Sequence, residues 1–326
     1  MAEVNLVQAI NMALAHEMAR DPDVIVLGED VGANGGVFRA TVDLQRRFGL
    51  ERVLDTPLAE GLIAGAAVGM AAQGLKPVAE IQFTGFIHAC LDQIINHAAR
   101  LRHRTRGRLT CPMVLRSTCG AGIHAPEHHS ESPEAIFAHV PGVRVVIPSS
   151  PLRAYGLLLA AIRDPDPVVF LEPTRLYRLF KQEVPDDGEA LPLDACFVER
   201  EGRDVTLVSW GASLREALAA AQALSAEGIA AEVIDVATLK ILDMDTILES
   251  VAKTGRCVIV HEAPRCAGFG AEIAANLAEH GLLALFAPVQ RVTGYDVVTP
   301  LARLEQEFMP GTARVVDAVH RAMEYR

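Results

Sequence analysis

The sequence predicts an α/β protein of two domains, each a mostly parallel sheet flanked by helices. Three observations carry this. Continuous aliphatic runs such as Val24 to Leu27, Val143 to Ile147 and Val168 to Leu171 have the composition of strands buried on both faces. Stretches of helical period separate them, so strand and helix alternate along the chain. The alternation lapses after Pro173 and resumes at Val205, and 326 residues are enough for two cores. The expected division is a first domain over 1–185, a linker over 186–202 and a second domain over 203–326.

Composition narrows the function classes. The net charge of −11 argues against nucleic acid as the main partner. No run is long and apolar enough to cross a bilayer. Met1-Ala2-Glu3 starts no basic or apolar signal segment, which leads to the expectation of a cytoplasmic site. The six cysteines form no C-x-x-C pair, as suits a reducing compartment.

Taken in order, Leu6, Ile10, Ala13, Leu14 and Met18 mark an amphipathic helix that Asn5 can cap. The strand Val24–Leu27 ends in Gly28-Glu29-Asp30, a carboxylate pair where open α/β sheets place ligands. Gly32, Gly35 and Gly36 follow at the wrong spacing for a dinucleotide loop. A short helix over Thr41–Phe48 comes next, and Arg52–Asp55 leads into the stretch that follows. The helix from Glu60 has one acid at its start and then almost only Gly, Ala and aliphatics to Ala72. It reads as thin and buried on most sides, which would raise the pKa of Glu60. A strand over Pro77–Gln82 leads to a long helix with Phe86, Ile87, Cys90, Leu91, Ile94, Ile95, Ala98 and Leu101 on one face. Its basic end, Arg100 to Arg108, is either a solvated face or a docking surface for an acidic partner.

After a strand over Met113–Arg116, the loop Gly120 to Ser132 concentrates His124, His128 and His129 with Glu127 and Glu131. Metal ligation, acid/base work by a histidine and a polar surface loop are all open readings. A helix over Pro133–His139, a strand over Val143–Ile147, a helix over Leu152–Arg163 and a strand over Val168–Leu171 complete the first series. The second series has strands at Val205–Trp210, 231–236, 257–261 and near Val289, and helices to Glu227 and over 243–252, 271–280 and 312–325. His261-Glu262, at a strand end, reads as support rather than chemistry.

Several stretches carry a resemblance: Leu27 to Gly32, Asp55 to Glu60, Gly65 to Ala71, Ala79-Glu80-Ile81-Gln82-Phe83, His129 to Glu134, Asp166 to Pro173, and Lys253-Thr254-Gly255-Arg256. In these the chain resembles the beta subunit of the decarboxylase (first) component of 2-oxo acid dehydrogenase complexes. That family is thiamine-diphosphate-dependent and transketolase-like. The likeness runs in order over nearly the whole chain.

The resemblance implies a pyrimidine-binding first domain and a transketolase C-terminal-like second domain. It implies that Glu60 hydrogen-bonds the pyrimidine nitrogen, so that the ring's imino group can take the proton from the thiazolium carbon. It places Phe86 against that ring, Glu29 and Gln82 in its hydrogen-bond network, and His129, with His128 beside it, at proton transfers on the substrate. A structural potassium ion would be held through the backbone carbonyls of Met113, Ala161, Asp164 and Asp166. Relatives anchor the pyrophosphate through Mg2+ on a Gly-Asp-Gly segment followed by Asn-Asn. Neither occurs in this sequence, so that half of the site is expected on an alpha subunit in an alpha2beta2 heterotetramer. A lipoyl-bearing dihydrolipoamide acyltransferase would receive the acyl group.

Gln82 to Phe86 and Ile123 to Glu127 look more like the pyruvate type, whereas Cys266 to Gly270 and Arg291 to Tyr295 look more like the branched-chain, 2-oxoisovalerate type. The expected substrate is pyruvate, with the branched-chain acid as the alternative. A non-catalytic scaffold would have no use for Glu60 and His129. A single-chain transketolase or deoxyxylulose-phosphate type enzyme would need another domain.

Overall fold

A computed structural model describes residues Met1–Tyr325. The chain folds as two compact units. One comprises Met1–Cys119 with Ile136–Leu193, and the other Gly120–Ala135 with Asp194–Arg326.

In the first unit, strand β1 (Ala2–Val4) precedes helix α1 (Leu6–Arg20). Asn5 and Gln8 form a reciprocal capping box at its start, with bonds of 3.0 and 3.1 Å. Then come β2 (Val24–Gly28), α2 (Leu44–Phe48), β3 (Val53–Asp55), α3 (Glu60–Ala72), β4 (Lys76–Ile81), α4 (Leu101–Arg104) and β5 (Val114–Cys119). After the short helix α5 (Glu134–Ala138), whose first two residues belong to the other unit, follow β6 (Arg144–Val146), α6 (Pro151–Arg163), β7 (Val168–Pro173) and β8 (Gln182–Val184). The strands pair in parallel in the order β3-β2-β4-β5-β7-β6. Every residue of β2, β5 and β7 is buried: β2 is apolar throughout, whereas β5 also buries Arg116, Ser117 and Thr118, and β7 buries Glu172. Helices α1 and α6 pack together, and buried Glu17 accepts from Arg163 Nε at 3.1 Å.

The second unit holds β9 (Phe197–Arg200), β10 (Val205–Ser209), α7 (Leu214–Ala226), β11 (Ala231–Asp235), β12 (Thr238–Lys240), α8 (Met244–Thr254), β13 (Cys257–Pro264), α9 (Gly270–His280), β14 (Gln290–Gly294), α10 (Glu305–Phe308) and α11 (Thr312–Met323). The sheet order is β14-β13-β10-β11-β9, with only the β11–β9 pair antiparallel. Val205, Leu207, Val233, Val258 and Val260 from the sheet meet Leu214, Leu224, Val315 and Val319 from α7 and α11.

Three expectations are corrected. The long helix after β4 is instead a 3₁₀ segment (Thr84–Cys90), a turn of π-helix (Gln93–His97), another 3₁₀ turn (Ala98–Arg100) and α4. Ile87, Cys90, Ile94 and Ala98 stay buried, because a tight turn followed by a loose one preserves the average helical spacing. Second, α3 buries one face only, through Ile63, Ala64, Ala67 and Ala71, whereas Leu62 and Gly69 are exposed in this chain. Third, β9 lies inside the stretch read as linker, where it pairs with the edge of β11.

Candidate active site

The carboxyl ends of the first unit's parallel strands gather the polar groups, as the geometry of such sheets dictates. Glu29 leaves the end of β2, Glu60 opens α3 after β3, and Gln82 follows β4. Asp30 adopts a left-handed backbone (φ 58°) that turns the chain sharply after Glu29. Gly32 N–H donates to Asp55 Oδ1 at 2.6 Å, tying this turn to the end of β3. Burial and the neighbouring charge of Glu60 hold the Glu29 carboxyl above its ordinary range. Gln82 Nε2 donates to the Glu29 carbonyl at 3.3 Å. Glu29, Glu60 and Gln82 therefore share one site.

An aromatic wall stands beside them. Phe83 meets Phe86 edge-to-face at 6.0 Å and Phe38 at 5.4 Å, and Phe38 meets Tyr177 at 5.2 Å. A half-buried acid, an anchored amide and a ring surface match a flat heteroaromatic group with polar edges. The residues present thus fit the aminopyrimidine half of thiamine diphosphate.

Beneath this edge lies a charge network that sequence reasoning missed. Arg116 of β5 is almost wholly buried and donates through Nε and Nη2 to Glu172 of β7 at 2.7 and 3.0 Å. Its Nη1 donates to Glu80 of β4 at 2.8 Å, and Tyr177 Oη donates to Glu172 at 2.6 Å. Burial outweighs the arginine's pull and raises the Glu80 carboxyl. Arg116, Glu80, Gln82, Phe38 and Tyr177 line one small cavity. Its signal in the sequence is an isolated charge in each of three strand stretches, Glu80, Arg116 and Glu172.

The backbone positions expected to hold potassium also lie in the first unit. Met113 O accepts from Val168 N at 3.0 Å, and Ala161 O accepts from Asp164 N at 3.4 Å. The Asp164 carboxylate bonds Asp166 N at 2.8 Å and pairs with Arg144, while Asp166 pairs with Arg102. The two carboxylates are thus engaged by arginines, and a cation there would rest on carbonyls. Among the described residues, no group of three or more His, Cys, Asp or Glu side chains is arranged to hold a metal ion.

The histidine loop belongs to the second unit. Gly120, with φ 84°, donates its N–H to Glu131 O at 2.8 Å and closes the loop. His128 and His129 lie with ring centroids 3.9 Å apart. Burial first, and then the His128 ring, lowers the pKa of His129. His129 is therefore biased to the neutral imidazole, the form that accepts a proton. His124, with φ 59° and an exposed side chain, lies with its Nε2 3.7 Å from Glu305 Oε2.

Comparison with known proteins places the chain in a class. The family "Transketolase, pyrimidine binding domain" matches residues 2–179, and "Transketolase, C-terminal domain" matches 195–315. A solved structure entitled "Split gene transketolase, inactive beta4 tetramer" shares the fold, with a TM-score of 0.80, 24% identity and 99% of each chain covered. The pyruvate dehydrogenase E1 component subunit beta of Bacillus subtilis (strain 168) is 47% identical over the full length of both chains. The protein of the same name from Acholeplasma laidlawii is 48% identical, and that from Staphylococcus aureus (strain N315) 45%, again over full length. The chain belongs to the transketolase-like family of these pyruvate dehydrogenase E1 beta subunits.

Proposed function

We propose that this chain is the beta subunit of a thiamine-diphosphate-dependent pyruvate dehydrogenase, contributing the pyrimidine-side half of the active site. The observation that carries the reading is the meeting of Glu29, Glu60 and Gln82 beside an aromatic wall, at the sheet edge where the family's motif falls. Full-length identity to relatives named for pyruvate favours pyruvate over the branched-chain 2-oxo acid.

Thiamine diphosphate, when bound, supplies the carbon nucleophile and the electron sink that decarboxylation needs. Glu60 hydrogen-bonds the pyrimidine nitrogen. Glu29 and Gln82 orient the polar edge of the ring, and Phe86 packs against its face. His129, biased to the neutral form, accepts and returns a proton on the substrate during decarboxylation and acyl transfer to lipoamide. Mg2+ and the pyrophosphate are held by an alpha subunit, since this sequence has no Gly-Asp-Gly and no adjacent asparagines. The exposed Leu58 and Leu62 and the small residues of α3 suit close packing of another chain in an alpha2beta2 assembly. A potassium ion on the carbonyls of Met113, Ala161, Asp164 and Asp166, a lipoyl-bearing acyltransferase partner and a cytoplasmic site complete the reading. No helix among the described residues is long and apolar enough to cross a membrane.

Titration calorimetry with thiamine diphosphate and Mg2+ tests this, first on the chain alone and then with the alpha subunit. Binding and pyruvate decarboxylation are expected only with both. Micromolar binding and turnover by the isolated chain would refute the half-site. A higher specificity constant for 2-oxoisovalerate would replace pyruvate with the branched-chain acid.

A further inference from the structure

The loop that carries His128 and His129 is tied down by two carboxylates that no step above uses. Glu305, the first residue of α10, is only 1% exposed, and Glu262 of β13 is 8% exposed. Gly122 N–H donates to Glu305 Oε1 at 2.8 Å, and His124 N–H donates to Glu305 Oε2 at 3.1 Å. Ala121 N–H donates to Glu262 Oε2 at 3.2 Å. The backbone turns through positive φ at Gly120 (84°), Gly122 (94°) and His124 (59°), which aims successive amides at the two acids. A Cβ on Gly120 would come within 2.6 Å of Glu262 Oε2, so no other residue fits there without a shift. Ala121 packs with Phe308 and Met309, just beyond Glu305.

Buried carboxylates offer only acceptors, and these backbone amides are only donors, so the match is complete in chemistry as well as distance. From the first turn the chain runs five residues to His129, and the Gly120–Glu131 bond closes the loop behind the histidines. A loop fixed at its first turn and at its neck holds its tip within a narrow range. Proton transfer requires that precision, since a misplacement of about 1 Å costs roughly a hundredfold in rate.

We propose that Glu305, assisted by Glu262, is a positioning residue that holds the His128–His129 loop in its working geometry. The inference rests on the proton-transfer role of that loop given under Proposed function. It makes part of the second unit serve the chemistry rather than support alone.

The experiment uses the full chain assembled with its alpha subunit and compares Glu305→Ala, Glu305→Gln and Glu262→Gln. Glutamine keeps the volume of Glu305 but presents an N–H2 to one of the two amides. Amide hydrogen exchange over residues 120–132 reports the anchor. Exchange at Gly122 and His124 is expected to rise roughly 10- to 100-fold in Glu305→Ala, the range for a lost charge-assisted bond, and less in Glu305→Gln. Single-turnover acyl transfer to a lipoyl domain should fall about tenfold or more, while deuterium exchange at the thiazolium carbon stays unchanged. A merely structural carboxylate would lower both rates together or neither. Unchanged loop protection in Glu305→Ala overturns the anchor, and a loosened loop with full acyl transfer overturns the positioning role. If Glu305→Ala does not fold, the same two readouts on Glu305→Gln decide. Failure of the unaltered assembly to decarboxylate pyruvate would refute the functional reading itself, and that is seen before any variant is made.

Discussion

Glu29 feels the charge of Glu60, and that coupling gives a direct test of their shared site. Replacing Glu60 by Gln removes the neighbouring charge, so the Glu29 carboxyl should titrate closer to its ordinary range, as followed by NMR. Turnover should fall by roughly two to four orders of magnitude, the range for a lost acid/base group, with folding intact. Near-normal decarboxylation would remove Glu60 from its role. For the histidines, His129→Ala should impair acyl transfer to lipoamide more than cofactor exchange, and His128→Ala should not. The reverse pattern would give the role to His128. At this scale Glu29, Glu60 and the histidine loop stand out in the sequence as polar groups at a strand end, a helix start and a glycine-bounded loop, whereas the parts expected of Gln82, Phe86 and His129 are what the resemblance implies. Glu305 does not stand out. It opens a four-residue helix in a stretch with no strand to mark it, and only the fold shows three amides meeting two acids.

The elements were legible wherever one residue type repeats with the right period. They were not where the chain departs from regular winding, as between Thr84 and Arg104, or where a strand contains its own charge. The sequence predicts a strand over Met113–Arg116, with the cation at its end. The strand continues to Cys119 because Glu80 and Glu172 on the two neighbouring strands neutralise that cation inside the sheet. This predicts a particular mutational pattern. Arg116→Met leaves two carboxylates buried without their partner and should destabilise the first unit by about 3–5 kcal/mol in urea unfolding. Adding Glu80→Gln and Glu172→Gln to it should recover most of the loss. A single variant as stable as the parent would show that the network contributes no stability.

Across the whole molecule, two buried groups of the second unit set opposing pH dependences. Burial pushes the Glu134 carboxyl up to about 7, partly offset by the Trp210 indole, whose Nε1 donates to it at 3.3 Å. Burial, then the charge of Arg291, pushes His261 down to about 3, where its ring stacks on Trp210 at 5.0 Å. A raised carboxyl gives stability that is full below its unfolded pKa of 4.5 and is lost as pH rises through about 7. A depressed imidazole gives stability that is full above 6.5 and is lost as pH falls toward about 3. Between 4.5 and 6.5 the two slopes oppose each other. Glu134→Gln removes one of them, so its melting temperature should rise with pH across that window more steeply than the parent's. Parallel curves would show that Glu134 does not hold its proton in the fold.

The assignment of Gly120–Ala135 to the second unit also bears on how the chain can be taken apart. The polypeptide leaves the first unit after Cys119, returns after Ala135 and leaves again after Leu193. A protease cut near Leu193 therefore severs only the last of these crossings. The N-terminal fragment keeps an inserted finger whose amides are gripped by Glu262 and Glu305 of the other piece. Nicked protein should co-elute as one species under native conditions and part only in denaturant. Dissecting the halves as independent modules would need the finger to be transplanted along with the C-terminal piece.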